Sequence, residues 1–291
     1  MARMPDGPAP PPTVQKLRIR YAKRGRLRFT SHRDIQRAFE RALRRAQVPM
    51  AYSAGFTPHP KVSWAGAAPT GVASEAEYVE IGVTRALDPA ELAAELDGSL
   101  PPDLDILEIV EAATPNLMER LEASVWEIRL PGVAPEAAAK AVAAFLAAAE
   151  VPVERLTKNG VRTFDARAAV VAAEAAPTGA DSAESGPSDT SADGFAAGHG
   201  VGAEAGGHGV HPCAILRLVV RHLTPAVRPD DVLTGLDRVA GLVPLVPPQV
   251  TRLAQGPLRV GFEAAAASVS VEALSDPLDP DRAAAGPTTD R

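Results

Sequence analysis

Residues 16–61 read KLRIRYAKRGRLRFTSHRDIQRAFERALRRAQVPMAYSAGFTPHPK, and the fold turns on how this stretch divides. Leu17, Ile19 and Tyr21 alternate with Arg18 and Arg20, the period of a strand with one apolar face. The turn 22–25 ends in Gly25, which supplies the positive φ a hairpin needs. Arg26-Leu27-Arg28-Phe29 then reads as the returning strand. The expected hairpin places Leu17, Ile19, Tyr21, Leu27 and Phe29 on one face and Arg18, Arg20, Arg26 and Arg28 on the other. A helix follows. Ser31 is a good N-cap, and Asp34 lies in the first turn, where a carboxylate favours the positive end of the helix dipole. Ile35, Phe39, Ala42, Leu43 and Ala46 form its apolar stripe, and Arg33, Arg37, Arg41, Arg44 and Arg45 form a second, cationic stripe. The helix ends before Pro49.

From Lys16 to Arg45 there are twelve Lys or Arg against two acids, Asp34 and Glu40, a local net of +10. The whole chain is −6, so the remainder carries −16. A chain this polarised has a positive front for acidic partners and a negative back.

Downstream, strands are expected at 62–65, 77–83 and 104–110, with a short helix at 89–96 capped by Asp88 and opened by Pro89. The order hairpin, α, β, β, α, β is the ferredoxin-like pattern. A second unit begins with a strand at 124–130 and an Ala-rich helix at 135–149. Two strands then flank Thr157-Lys158-Asn159-Gly160, whose Asn-Gly is a hairpin signal. A strand at 213–220, a helix at 229–239 and a strand or hairpin at 250–260 complete it. The expected fold is α+β, two tandem ferredoxin-like units with antiparallel sheets, helices on one face and the other face open. The units span 14–113 and 122–262, the second interrupted by a flexible, Gly/His-rich insertion at 174–211. Residues 1–13 and 263–291 read as disordered tails.

Composition bounds the function. Aromatics are 4% of the 291 residues and there is one cysteine, Cys213, so neither an intramolecular disulfide nor an all-cysteine metal site fits in one chain. No run reaches the roughly 20 apolar residues of a membrane span, and the N-terminus lacks a signal-peptide core. The expectation is a cytoplasmic protein without a membrane. His199, His208, His211 and Cys213 match no compact zinc spacing, and no Walker or dinucleotide glycine pattern occurs, so no metal or cofactor is expected.

Phosphate binding needs cations held in register by a rigid element. Arg18, Arg20, Arg26, Arg28, Arg33, Arg37 and Arg41 meet that need, with Tyr52 and Phe56 as stacking aromatics. The competing reading pairs the hairpin arginines with acids elsewhere in the chain. A catalytic alternative draws on His32, Asp34, His59 and Lys61: a histidine beside a lysine can cleave RNA by moving the 2′-hydroxyl proton.

Phe29, Ser31, His32 and Asp34, then Arg44 and Arg45, then Pro49, Tyr52, Ser53, Gly55, Phe56, Pro58, His59 and Pro60, resemble the signature of the bacterial radical-SAM-linked protein family. Gly71, Ser74 and Glu77 continue the match. The specific part covers about residues 15–130, with looser similarity to about 255. The resemblance implies a partner: a radical-SAM enzyme, to which such domains are fused or beside which they are encoded, or a ribonuclease of the E/G type. With one cysteine the chain lacks the triad for a radical-SAM cluster of its own. The expected function is therefore a non-catalytic RNA-binding or adaptor module, for tRNA or rRNA, acting with an RNA-processing or radical-SAM RNA-modifying enzyme. The alternatives are an RNA-cleaving or RNA-modifying enzyme and a protein-docking module for a radical-SAM partner.

Overall fold

Strand β1, Gln15–Lys23, is central to the first half: it lies antiparallel between β3, Ala73–Val83, and β4, Ile106–Glu111. The computed structural model describes residues 10–158, 160–177, 212–262 and 269–285. Between β1 and β3 come α1, His32–Arg45, and the short β2, Val62–Ala65, which pairs with the far end of β3; α2, Pro89–Asp97, leads into β4. The Ser31 hydroxyl accepts from the Asp34 amide at 3.3 Å, the cap that starts α1. After α3, Leu117–Arg120, come β5, Ala123–Pro131, α4, Pro135–Ala147, and a separate hairpin of β6, Pro152–Thr157, and β7, Gly160–Asp165. Then follow β8, Val170–Pro177, β9, Cys213–Arg221, α5, Pro229–Ala240, β10, Gln249–Gly256, and α6, Asp279–Ala285.

The fold is mixed α+β with a mostly antiparallel sheet and, among the described residues, six α-helices. The main sheet has eight strands in the order β4-β1-β3-β10-β5-β9-β8, with β2 also on β3. The halves share this one sheet. Its join is the parallel pairing of β10 with β3, Thr251 opposite Ala73 and Arg252 opposite Ser74. In the first half α1 and α2 bury Ile35, Phe39, Leu43, Leu92 and Leu96 against Leu17, Ile19, Tyr21, Val79 and Ile81. In the second, Phe145, Val142, Val232 and Leu236 from α4 and α5 pack on Ile128, Leu216 and Leu218.

Three expectations change. Arg26–Phe29 is not a returning strand: Gly25–Phe29 is a 3-10 turn, and β1 takes β3 and β4 as neighbours instead. Gly25 does hold a positive φ of +47°, but it opens this turn. The second correction concerns the region 263–291, read as a tail. Val269–Ala285 is ordered, with Val269, Leu274, Leu278 and Asp281 buried. It packs on the sheet face away from α1, α2, α4 and α5: Val269, Ala273 and Leu274 on Ala123, Val125 and Val219, and Leu278 on Ala65, Ala76 and Tyr78. The expected open face is therefore covered in both halves. Third, residues 174–177 of the expected insertion finish β8. The remainder, 178–211, lies outside the described residues, as do Asn159 of the hairpin turn and His199, His208 and His211.

Candidate nucleic-acid interface

The Gly25–Phe29 turn and α1 carry seven arginines, of which Arg44 donates to the Glu40 carbonyl at 3.1 Å and Arg45 to the Ser99 carbonyl at 3.2 Å. Gly25 passes against the Asp103 carboxylate so closely that a Cβ would overlap it, at 2.1 Å, which fixes the approach of the turn to the strand β4 leader. The Gly71 amide donates to the Arg28 carbonyl at 2.6 Å and pins the other end. Arg28 lies 4.7 Å over the Phe29 ring, and Phe29 is 62% exposed. Along α1, Arg33, Arg37 and Arg41 project at one-turn spacing and are exposed, as are Arg44 and Arg45. Of the seven arginines from Arg26 to Arg45, only Arg37 has an ion pair among the described residues, with Asp34 at 3.3 Å.

The cations of β1 and its turn behave differently. Lys16 pairs with Glu80 at 3.0 Å, and Arg18 with Glu80 at 3.1 Å and Asp281 at 2.5 Å. Arg20 lies 3.6 Å from Asp276, and Arg24 pairs with Glu75 and with Asp105 at 2.6 Å. Arg18 is buried. The expected four-arginine face is thus divided: Arg18 and Arg20 meet acids of β3 and of the C-terminal segment, while Arg26 and Arg28 stay on the front. Taking the five cations of β1 and its turn from the twelve leaves seven, against Asp34 and Glu40 a net +5.

Tyr52 and Phe56, 43% and 69% exposed, stand on a loop closed by the Tyr52–Pro60 bridge. Ser53 and His59 brace it: the Ser53 amide donates to the His59 carbonyl at 2.8 Å, and the His59 amide donates to the Ser53 hydroxyl at 3.0 Å. The loop feeds the start of β2, where Lys61 Nζ donates to the Thr13 hydroxyl at 2.8 Å. His32 lies toward the other end of β2. Its ring meets Trp64 edge-on at 5.3 Å and contacts the Gln36 amide at 3.1 Å. Burial pushes the His32 pKa down, so its neutral form is favoured. Asp34 is engaged by Ser31 and Arg37. Among the described residues no hydrogen bond or ion pair joins His32 or Asp34 to His59 or Lys61.

A second polar cluster lies beneath the front, at the join of the halves. Arg252 of β10 forms a buried ion pair with Glu77 of β3. It also donates to the Ser74 hydroxyl at 3.2 Å and packs 5.5 Å over Trp126. Glu77 accepts from the Ala68 amide at 3.1 Å, and Gln255 donates to the Ala76 carbonyl at 2.6 Å. Lys23 Nζ donates to the Pro69 carbonyl at 3.2 Å. Burial opposes ionisation of Glu77, yet attraction to Arg252 and the hydrogen bonds outweigh it and hold the carboxyl below its ordinary value. Burial pushes Lys23 down and Tyr21 well up. The cluster holds the 66–71 loop, and that loop holds Arg28. Sequence reasoning named Ser74 and Glu77 only within the family resemblance and did not join them to Arg252, although a further signal was there: Lys23 continues the apolar alternation of Leu17, Ile19 and Tyr21, and Glu77 that of Val79, Ile81 and Val83. A charge on a core-facing position needs a partner.

Among the described residues no group of three or more His, Cys, Asp or Glu stands ready for a metal, and no helix is long and apolar enough to cross a membrane. Fold and surface together define a mixed α+β protein with an arginine front on a turn and helix. The chain belongs to the family described as uncharacterized protein conserved in bacteria (DUF2344), whose model matches residues 16–229. Comparison with curated proteins gives no match.

Proposed function

We propose that this protein is a non-catalytic RNA-binding or adaptor module whose 25–29 turn and α1 hold RNA phosphates. The observation that carries the reading is the set of seven arginines on one turn and one helix, six of them without an ion pair among the described residues. A rigid helix presenting cations one turn apart suits a phosphate backbone, and releasing condensed counterions supplies the affinity. Phe29, Tyr52 and Phe56 favour RNA with unpaired bases over duplex DNA, because exposed rings stack on splayed bases. Structured RNAs such as tRNA or rRNA offer both elements. The radical-SAM-linked resemblance supports a cytoplasmic role beside an RNA-modifying radical-SAM enzyme or an E/G-type ribonuclease. We further read each half as a ferredoxin-like unit. The strand orders β4-β1-β3-β2 and β10-β5-β9-β8 support that reading.

The test is binding of total cellular RNA to the full chain and to the Arg33→Glu/Arg37→Glu/Arg41→Glu protein. These side chains are exposed, so the variant keeps its fold. Loss of binding supports the proposal; undiminished binding overturns it.

A further inference from the structure

On the second half, α5 and the segment leading to β10 line an open groove of about 450 Å³. Asp230, Leu233 and Asp237 line one wall; they recur at three and four residues and so share a face of α5. Val243, Leu245 and Val246 line the other, and Leu245 is 91% exposed. Large apolar side chains gathered in four residues of exposed chain are unfavourable in water unless something covers them.

The segment is built to present them. Leu242 and Val250 are buried at its two ends. Gly241 ends α5 at φ +65°, its amide donating to the Asp237 carbonyl at 2.6 Å. Pro244, Pro247 and Pro248 restrict φ through the middle, so a partner meets the apolar side chains with little conformational entropy left to lose. The charge chooses the occupant. Neither Asp230 nor Asp237 has an ion pair among the described residues, whereas neighbouring Asp231 has Arg155 at 2.8 Å. Two carboxylates flanking an apolar floor repel RNA and favour an apolar anchor flanked by cations.

We infer that this groove docks a basic amphipathic helix of a partner protein, an aliphatic side chain entering between α5 and Val243–Val246 with lysines or arginines facing Asp230 and Asp237. The inference rests on the adaptor reading for its purpose: the arginine front takes RNA, and the opposite chemistry of the groove takes the enzyme.

The test uses the full chain and a fluorescein-labelled helical peptide of leucine and lysine, followed by anisotropy, with a leucine–glutamate peptide of the same spacing as control. Expected is saturable binding of the lysine peptide, weakened about tenfold by Leu245→Asp and by Asp230→Asn/Asp237→Asn, and none of the glutamate peptide. Three results would overturn the inference: no saturable binding, binding by both variants as tight as the wild type's, or equal binding of the glutamate peptide. Self-association of the chain that Leu245→Asp abolishes would also overturn it, assigning the groove to a second copy. No RNA enters these titrations, and RNA binding by the Leu245→Asp protein is measured separately. Failure of the peptide result and failure of the RNA reading are therefore distinct.

Discussion

Arg18 and Asp281 lie 263 residues apart and meet at 2.5 Å, their side chains 3% and 0% exposed. The Arg120 guanidinium reaches the same carboxylate oxygen at 3.0 Å, and the Thr114 amide donates to the other at 2.9 Å. One carboxylate therefore bridges two guanidiniums, with Glu80 as the second acid on Arg18, on the sheet face that an RNA-binding sheet would leave open. Asp281→Ala leaves Arg120 without an ion pair among the described residues and leaves the buried Arg18 with Glu80 alone. Removing one partner of a buried pair costs about 3–5 kcal/mol, and that loss should appear in the urea midpoint. An unchanged midpoint would mean that the pair is dispensable.

The C-terminal segment is part of the fold. Leu278 is fully buried, so Leu278→Ala should cost about 2–5 kcal/mol. Gly256→Ala tests the same contact from the other side, because a Cβ there would meet the Ser275 carbonyl oxygen at 2.2 Å. Both variants should melt earlier than the wild type by calorimetry. Ending the chain after residue 262 should expose the covered face in both halves and give an insoluble or apolar-dye-binding protein. A soluble, cooperatively melting truncation would return this segment to the status of a tail.

Acid should weaken the molecule in a defined way. Burial disfavours the charged forms of Glu77 and Asp281. Arg252 in the first case, and Thr114, Arg18 and Arg120 in the second, more than compensate, so both carboxyls are held below their ordinary values of 4.5 and 3.8. A depressed carboxyl contributes stability that is fully present above the unfolded value and is lost as pH falls through the folded one. Stability should thus hold down to about pH 5 and fall below it. Glu77→Gln should be less stable at pH 7 and show a shallower acid decline, measured by urea unfolding from pH 7 to pH 3. A decline as steep as the wild type's would place the titration elsewhere.

Tyr52 and Phe56 test stacking separately from charge. If they hold unpaired bases, Tyr52→Ala and Phe56→Ala should each weaken single-stranded RNA binding by about 1–3 kcal/mol and leave the salt dependence unchanged. Both residues are exposed, so melting temperatures should not move. Unaltered affinity in both would leave binding to phosphates alone.

Local signals carried what could be read beforehand. Ser31 and Asp34 marked the start of α1, and the stripe from Ile35 to Leu43 marked its buried face, because both depend on neighbours within one or two turns. Arg26-Leu27-Arg28-Phe29 misled because two alternations cannot separate a strand from a 3-10 turn, and strand pairing settles the matter. Arg18 and Arg20 were correctly placed opposite the apolar face. What covers that face lay more than 250 residues away, in a segment whose Leu274, Leu278 and Asp281 are sparse among Ala, Pro and Asp. Composition there resembles a tail, and only packing identifies it as a layer. The Glu77–Arg252 join is equally non-local, although Glu77 and Lys23 on core-facing positions announced that partners had to exist. Of the proposed binding residues, Arg26, Arg28, Arg33, Arg37, Arg41, Tyr52 and Phe56 face solvent at least in part, while Arg18 is buried and Arg20 is engaged by Asp276 and the Glu75 carbonyl.

The central claim is that exposed arginines of α1 hold RNA phosphates, and its most direct test is the salt dependence of RNA affinity. Binding of single-stranded RNA should fall steeply from 50 to 200 mM salt. Arg33→Glu/Arg37→Glu/Arg41→Glu should both weaken it and flatten the log–log slope by about 2, since each lost contact with a single strand removes about 0.7. An equal slope in the wild type and the triple variant would contradict the account.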